Sequence, residues 1–84
     1  MESPHRPREL LSFIVGALVD KAEAVSIEEI VDEHSRVFKL RVDQADIGRV
    51  IGKDGRTAKA IRTIIGVATA RDGQKAKLDI VDPD

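Results

Sequence analysis

The chain has 84 residues, of which 35% are charged and 42% hydrophobic, and its formal net charge is −1. That is the profile of one soluble globular domain, too small to enclose a deep catalytic cleft and too apolar for a disordered chain. The absence of cysteine excludes disulfides, thiolate catalysis, zinc ribbons and iron–sulfur clusters, and fits a reducing compartment.

Residues 1–7 carry Pro4 and Pro7 and read as a loose tail. From Arg8 to about Lys21, apolar residues recur at Leu10, Leu11, Ile14, Val15, Leu18 and Val19, the spacing of one helix face. The apolar run from Leu10 to Val19 is about half a membrane span, and Glu9 and Asp20 bracket it. No cleavage site follows it, so a cytoplasmic location is expected. Val25 to Val31 is rich in β-branched residues and predicts a strand. Asp32 to Ser35 reads as a hairpin loop. Arg36 to Val42 then alternates, with Phe38, Leu40 and Val42 on one face and Lys39 and Arg41 on the other.

Asp43 is a good N-cap for a short helix through Ala45, Ile47, Val50 and Ile51. Gly52 stands where a helix end commonly takes a left-handed residue. Lys53, Asp54 and Gly55 make a tight break. A second helix runs from Arg56 to about Arg71, with a core face of Ala58, Ile61, Ile64, Ile65 and Ala68. Asp72 to Gln74 turns the chain, and Lys75 to Val81 alternates again. The order helix, strand, strand, helix, helix, strand makes the first two strands an antiparallel hairpin. The third joins through a two-helix crossover that permits parallel pairing. The expected fold is α+β: a three-stranded mixed sheet with three helices on one face, formed by a single domain over residues 8–82. Residues 83–84 close the chain.

Charge is segregated along this order. Residues 9–33 hold seven acids and one base, whereas residues 36–62 hold eight bases and three acids. A nearly neutral protein built this way carries a local positive field. The densest part of it surrounds Gly52 and Gly55. Two glycines free the backbone to turn, the second helix starts there with unpaired N–H groups, and Arg49, Lys53, Arg56 and Lys59 lie within a turn or two. Phosphate suits such a place. An ordinary helix corner with a capping glycine would give the same glycine pair. A nucleotide-binding P-loop does not fit: only three residues separate Gly48 from Gly52 where four are required, and Asp54 replaces the magnesium-binding hydroxyl.

The run Val50-Ile51-Gly52-Lys53-Asp54-Gly55, followed by Ala58 and Ile61, resembles the KH-domain signature: an apolar pair, Gly-x-x-Gly, and apolar residues three and six positions further on. The element order is that of the type II KH arrangement. The stretch from Gly48 to Thr63 is similar to the single-KH-domain bacterial RNA-binding proteins of the KhpA family, and the resemblance covers about residues 8–82. It implies that Gly52, Lys53, Asp54, Gly55 and Arg56 hold the backbone of about four single-stranded RNA nucleotides. The bases would lie in an apolar groove formed by Val50, Ile51, Ala58, Lys59 and Leu78, with Arg49 and Arg62 as auxiliary bases. Asp54 departs from the most basic loops of this kind and either lowers affinity or caps the second helix. The resemblance also implies an RNA-chaperone or post-transcriptional role, a link to cell shape, and a KhpB (Jag-like) RNA-binding partner.

The other features are plainer. His5 and His34 have no ligand-spaced neighbours, so no metal is expected, nor any cofactor. The acids from Glu28 to Glu33 read as a solvated strand edge. No constellation for catalysis is present. The apolar positions Ile61, Ile64 and Ile65 are either plain core or a homodimer face. The alternative to RNA binding is an assembly module that dimerises or captures a partner RNA-binding protein.

Overall fold

A computed structural model describes residues 7–81. Expectations for residues 1–6 and 82–84, including His5 and Pro83, lie outside the described residues. The first helix, α1, spans Pro7–Leu18 and begins on proline, whose missing N–H has no partner to lose in a first turn. It stops short of the expected Lys21. Val19 still donates to Val15, but the next N–H groups, of Asp20 and Lys21, turn to the carboxylate of Asp46. A side chain distant in sequence thus ends the helix. A single 3-10 turn, Ala22–Ala24, leads onward.

Strands β1, Ser26–Val31, and β2, Ser35–Arg41, form the antiparallel hairpin, with Ile27 opposite Leu40 and Glu29 opposite Phe38. β2 is central and pairs in parallel with β3, Lys75–Ile80, with Phe38 beside Leu78. The crossover between them carries the short second helix, α2, Ile47–Ile51, and the long third, α3, Arg56–Ala70. The short helical stretch is divided in two. Asp43 caps a 3-10 turn, Gln44–Asp46, by accepting the Ala45 N–H at 2.9 Å, and α2 starts only after it. α3 ends at Ala70, where Asp72 and Gly73 donate to Thr69 and Ala70 and Gly73 takes a positive φ.

One face of the sheet meets the helices. Phe38, Leu40 and Leu78 pack with Leu11 and Val15 of α1, Val50 of α2, and Ile61 and Ile65 of α3. Lys39 and Arg41 turn the other way, as strand alternation requires. The apolar stripe of α3 divides. Ile61 and Ile65 are buried, whereas Ile64, expected in the core face, is 44% exposed and Val67 is 64% exposed. Ile61 and Ile65 are therefore core, and of the three positions expected as a dimer face only Ile64 is open to a partner.

Candidate nucleic-acid interface

The Gly52–Gly55 loop sits between α2 and α3, within the crossover. Gly52 has φ +76° and ψ 172°, so it has the positive φ expected of a helix end but an extended ψ rather than a left-handed one. This region belongs almost entirely to glycine. A Cβ there would lie 2.2 Å from the Thr57 hydroxyl oxygen and 2.9 Å from the Thr57 backbone nitrogen. The left-handed residues are the next pair, Asp54 (φ 58°, ψ 24°) and Gly55 (φ 73°, ψ 13°). Aspartate is among the few side chains that tolerate this region.

Two backbone donors are used inside the loop, and one of them, that of Arg56, belongs to the helix start expected to face a ligand. Gly55 donates to Gly52 at 3.1 Å, and Arg56 donates to Lys53. The loop is held as a closed turn, with Lys53 and Asp54 exposed at its tip. Lys53, Arg56, Lys59 and Arg62 are all exposed and have no ion pair among the described residues. Their spacing of three residues winds them around the start of α3 in one slowly turning row. Asp54 is exposed in the same loop, and its side chain makes no capping bond, because Gly55 is the N-cap of α3. The helix-capping role is thereby excluded.

Three of the five residues expected to form the apolar groove have little exposed surface. Val50 is fully buried, and Ala58 and Leu78 are 4% and 7% exposed, so their side chains serve the core. A domain this small has few apolar residues to spare for its surface, and Val50 and Leu78 join the core cluster of the described residues. Ile51, at 37% exposed, and Lys59 remain at the surface.

Arg49, expected as an auxiliary base, is engaged with carboxylates of its own chain. Its guanidinium lies 3.1 Å from the Asp20 carboxylate and 3.5 Å from that of Asp46, so its charge is already compensated. Asp46 was not singled out by its sequence. It is 1% exposed, and its two oxygens accept the backbone N–H groups of Asp20 at 3.2 Å and Lys21 at 3.0 Å. The Lys21 N–H, joined by that of Asp20 and the charges of Arg49 and Lys21, holds the carboxyl below the usual range against the opposing effect of burial. The only sequence signal is an aspartate just before an apolar helix start with an arginine three residues on.

A second surface lies between α1 and α3. Leu10, Thr63, Ile64, Val67, Ala68 and Arg71 line a shallow, mostly apolar groove of about 350 Å³. Phe13, one turn along α1 from Leu10, is 76% exposed. Among the described residues no group of His, Cys, Asp and Glu is placed to hold a metal ion, and no helix is long and apolar enough to cross a membrane.

A family model for the KH domain of KhpA/KhpB matches residues 8–80. The chain is 45% identical over 74 residues to the RNA-binding protein KhpA of Borreliella burgdorferi, covering 88% of this chain and 90% of that one. It is 43% identical over 75 residues to the protein of the same name in Chlamydia trachomatis, covering 89% and 96%. It is 42% identical over 74 residues to that of Clostridium perfringens, covering 88% and 99%. No solved structure gives a significant match.

Proposed function

The chain belongs to the KhpA/KhpB KH-domain family, which is not a family of enzymes, and from that premise we propose that it binds single-stranded RNA in the cytoplasm. The observation that carries this reading is the row of exposed cations Lys53, Arg56, Lys59 and Arg62, without an ion pair among the described residues, beside the Gly52–Gly55 turn. Each can neutralise a backbone phosphate, and Ile51 offers an apolar surface to a base. A site of about four nucleotides read largely through its backbone gives micromolar affinity with strong salt dependence. Weak, sequence-tolerant binding of this kind suits an RNA chaperone or post-transcriptional regulator. The test is titration of a mixed pool of short single-stranded RNA, at low salt, into wild type and folded Lys53→Asp. A loss of about tenfold or more is expected, since one cation is replaced by an anion at the phosphate path. Equal binding would assign the RNA to another face.

The exposed groove between α1 and α3 favours a second, compatible reading: two copies of this chain pair through Leu10, Phe13, Ile64 and Val67. The groove lies on the C-terminal half of α3, whereas the cation row starts at its N-terminus. Both rows would stay available in a pair, and linking two weak sites multiplies affinity. Sedimentation of wild type and Ile64→Asp tests it. Wild type should sediment as a dimer and the variant as a monomer, and a monomeric wild type would overturn the pairing. A KhpB-type protein is the alternative occupant of this face, shown by a mixed complex forming in preference to the homodimer.

A further inference from the structure

We propose that Asp46 is the positioning residue of the RNA site: its carboxylate fastens α2, and with it the Gly52–Gly55 loop, to the Asp20–Lys21 connection, with Arg49 committed to this junction rather than to phosphate. The proposal rests on the RNA-binding reading for its affinity measurement but not for its structural one.

α2 has five residues, little more than one turn. A helix that short has no stability of its own, and its direction is set by what holds its ends. Val50 anchors one side in the core. The N-terminal end is held by Asp46, with one oxygen on the Asp20 N–H and the other on the Lys21 N–H. Arg49, one turn further on, spans the carboxylates of Asp46 and Asp20 and closes the junction from the solvent side. Hydrogen bonds to an ionised, buried carboxylate are the stronger and more directional kind. From this anchor to the loop there is no slack: α2 follows directly, and Gly52 donates back to Gly48 at 2.8 Å. Loosening Asp46 therefore moves the row that starts at Lys53.

The sign of the effect separates this role from simple electrostatics. Removing an acid from a protein that binds a polyanion ordinarily tightens binding. The junction predicts the reverse. Asp46→Asn keeps the shape but leaves one acceptor oxygen and sets an NH2 group against a backbone N–H. The experiment uses the full chain, folded by circular dichroism, with short single-stranded RNA titrated over a salt series. Asp46→Asn is expected to weaken binding by about 3- to 10-fold, the range of effects transmitted through a packed element. Its salt slope should equal that of wild type, since no phosphate contact is lost. Arg49→Ala should do the same, whereas a phosphate-contacting arginine would lower the slope by about 0.7. The second measurement needs no RNA: the amide resonances of Lys53, Asp54 and Gly55 should shift in Asp46→Asn and Arg49→Ala. If wild type fails to bind RNA, the functional reading fails while the amide shifts still decide the junction. The proposal is overturned if folded Asp46→Asn binds as well as or better than wild type, if Arg49→Ala lowers the slope, or if the loop amides stay in place. Should Asp46→Asn not fold, Arg49→Ala and Asp20→Asn carry the same measurements, because both leave the backbone donors and the Asp46 carboxylate intact.

Discussion

Five residues separate Asp46 from Gly52, yet the two stand in opposite surroundings. Around Asp46 the charges are paired, the carboxylate is buried, and backbone donors from another part of the chain converge on it. Around Gly52 the backbone takes positive φ at three of four residues, the Lys53 and Asp54 side chains are exposed, and the cations have no partner among the described residues. The first region spends its polar groups inside the molecule and the second keeps them for something outside. A binding loop whose charges were satisfied internally would have nothing to offer a phosphate. A loop without a satisfied anchor would have no fixed place from which to offer it.

The sharpest way to break this contrast is Gly52→Ala. The added Cβ meets the Thr57 side chain and backbone, and the φ/ψ region is hostile to any Cβ. The expected cost is about 2–5 kcal/mol from the combined strain and overpacking, read as a large fall in the thermal midpoint. A midpoint within a few degrees of wild type would show that the loop backbone adapts freely. Next comes acid. The folded pKa of Asp46 is lowered, so its contribution to stability is complete above its unfolded value, about 4, and is lost as pH falls through the lower folded value. Urea titrations should therefore find Asp46→Asn less stable than wild type above about pH 4, with the gap closing at lower pH. A gap that is constant across that range would mean the carboxylate charge does not matter.

Gly55→Asn is expected to be mild, about 0.5–1 kcal/mol, because the space beside Gly55 is open and asparagine tolerates its left-handed conformation. Equal damage at Gly52 and Gly55 would erase the distinction between them. The smallest effect belongs to Asp54→Asn. Its side chain caps nothing, so the melting temperature should stay put while RNA affinity rises about twofold, as loss of one exposed like charge allows. Weaker binding would give Asp54 a direct contact with RNA.

Most of the architecture was legible in the sequence because local signals agreed. Phe38, Leu40 and Val42 alternate, Asp43 caps, and Gly52 and Gly55 bracket a turn. Helical periodicity also gave α3, but it could not give the width of its buried face. Ile61 and Ile65 lie four apart and point into the core, while Ile64 and Val67 are rotated out of it. The loop was legible from its glycines, whereas the lining of its groove was not. Val50 and Ala58 flank the loop in the motif and Leu78 lies on the last strand, and only packing decides that their side chains face inward. Asp46 was illegible for another reason. Its donors are 25 and 26 residues away, a separation that no local pattern reports.

The central strand β2 gains its second neighbour only when β3 arrives, after the whole of α2, the loop and α3. During synthesis at about 5–20 residues per second, the hairpin waits several seconds with one flank of β2 open. An open strand flank is a template for pairing with other chains. The cations of β2 at Lys39 and Arg41, on the face the helices leave open, give such a flank like charges that disfavour its pairing with a second copy.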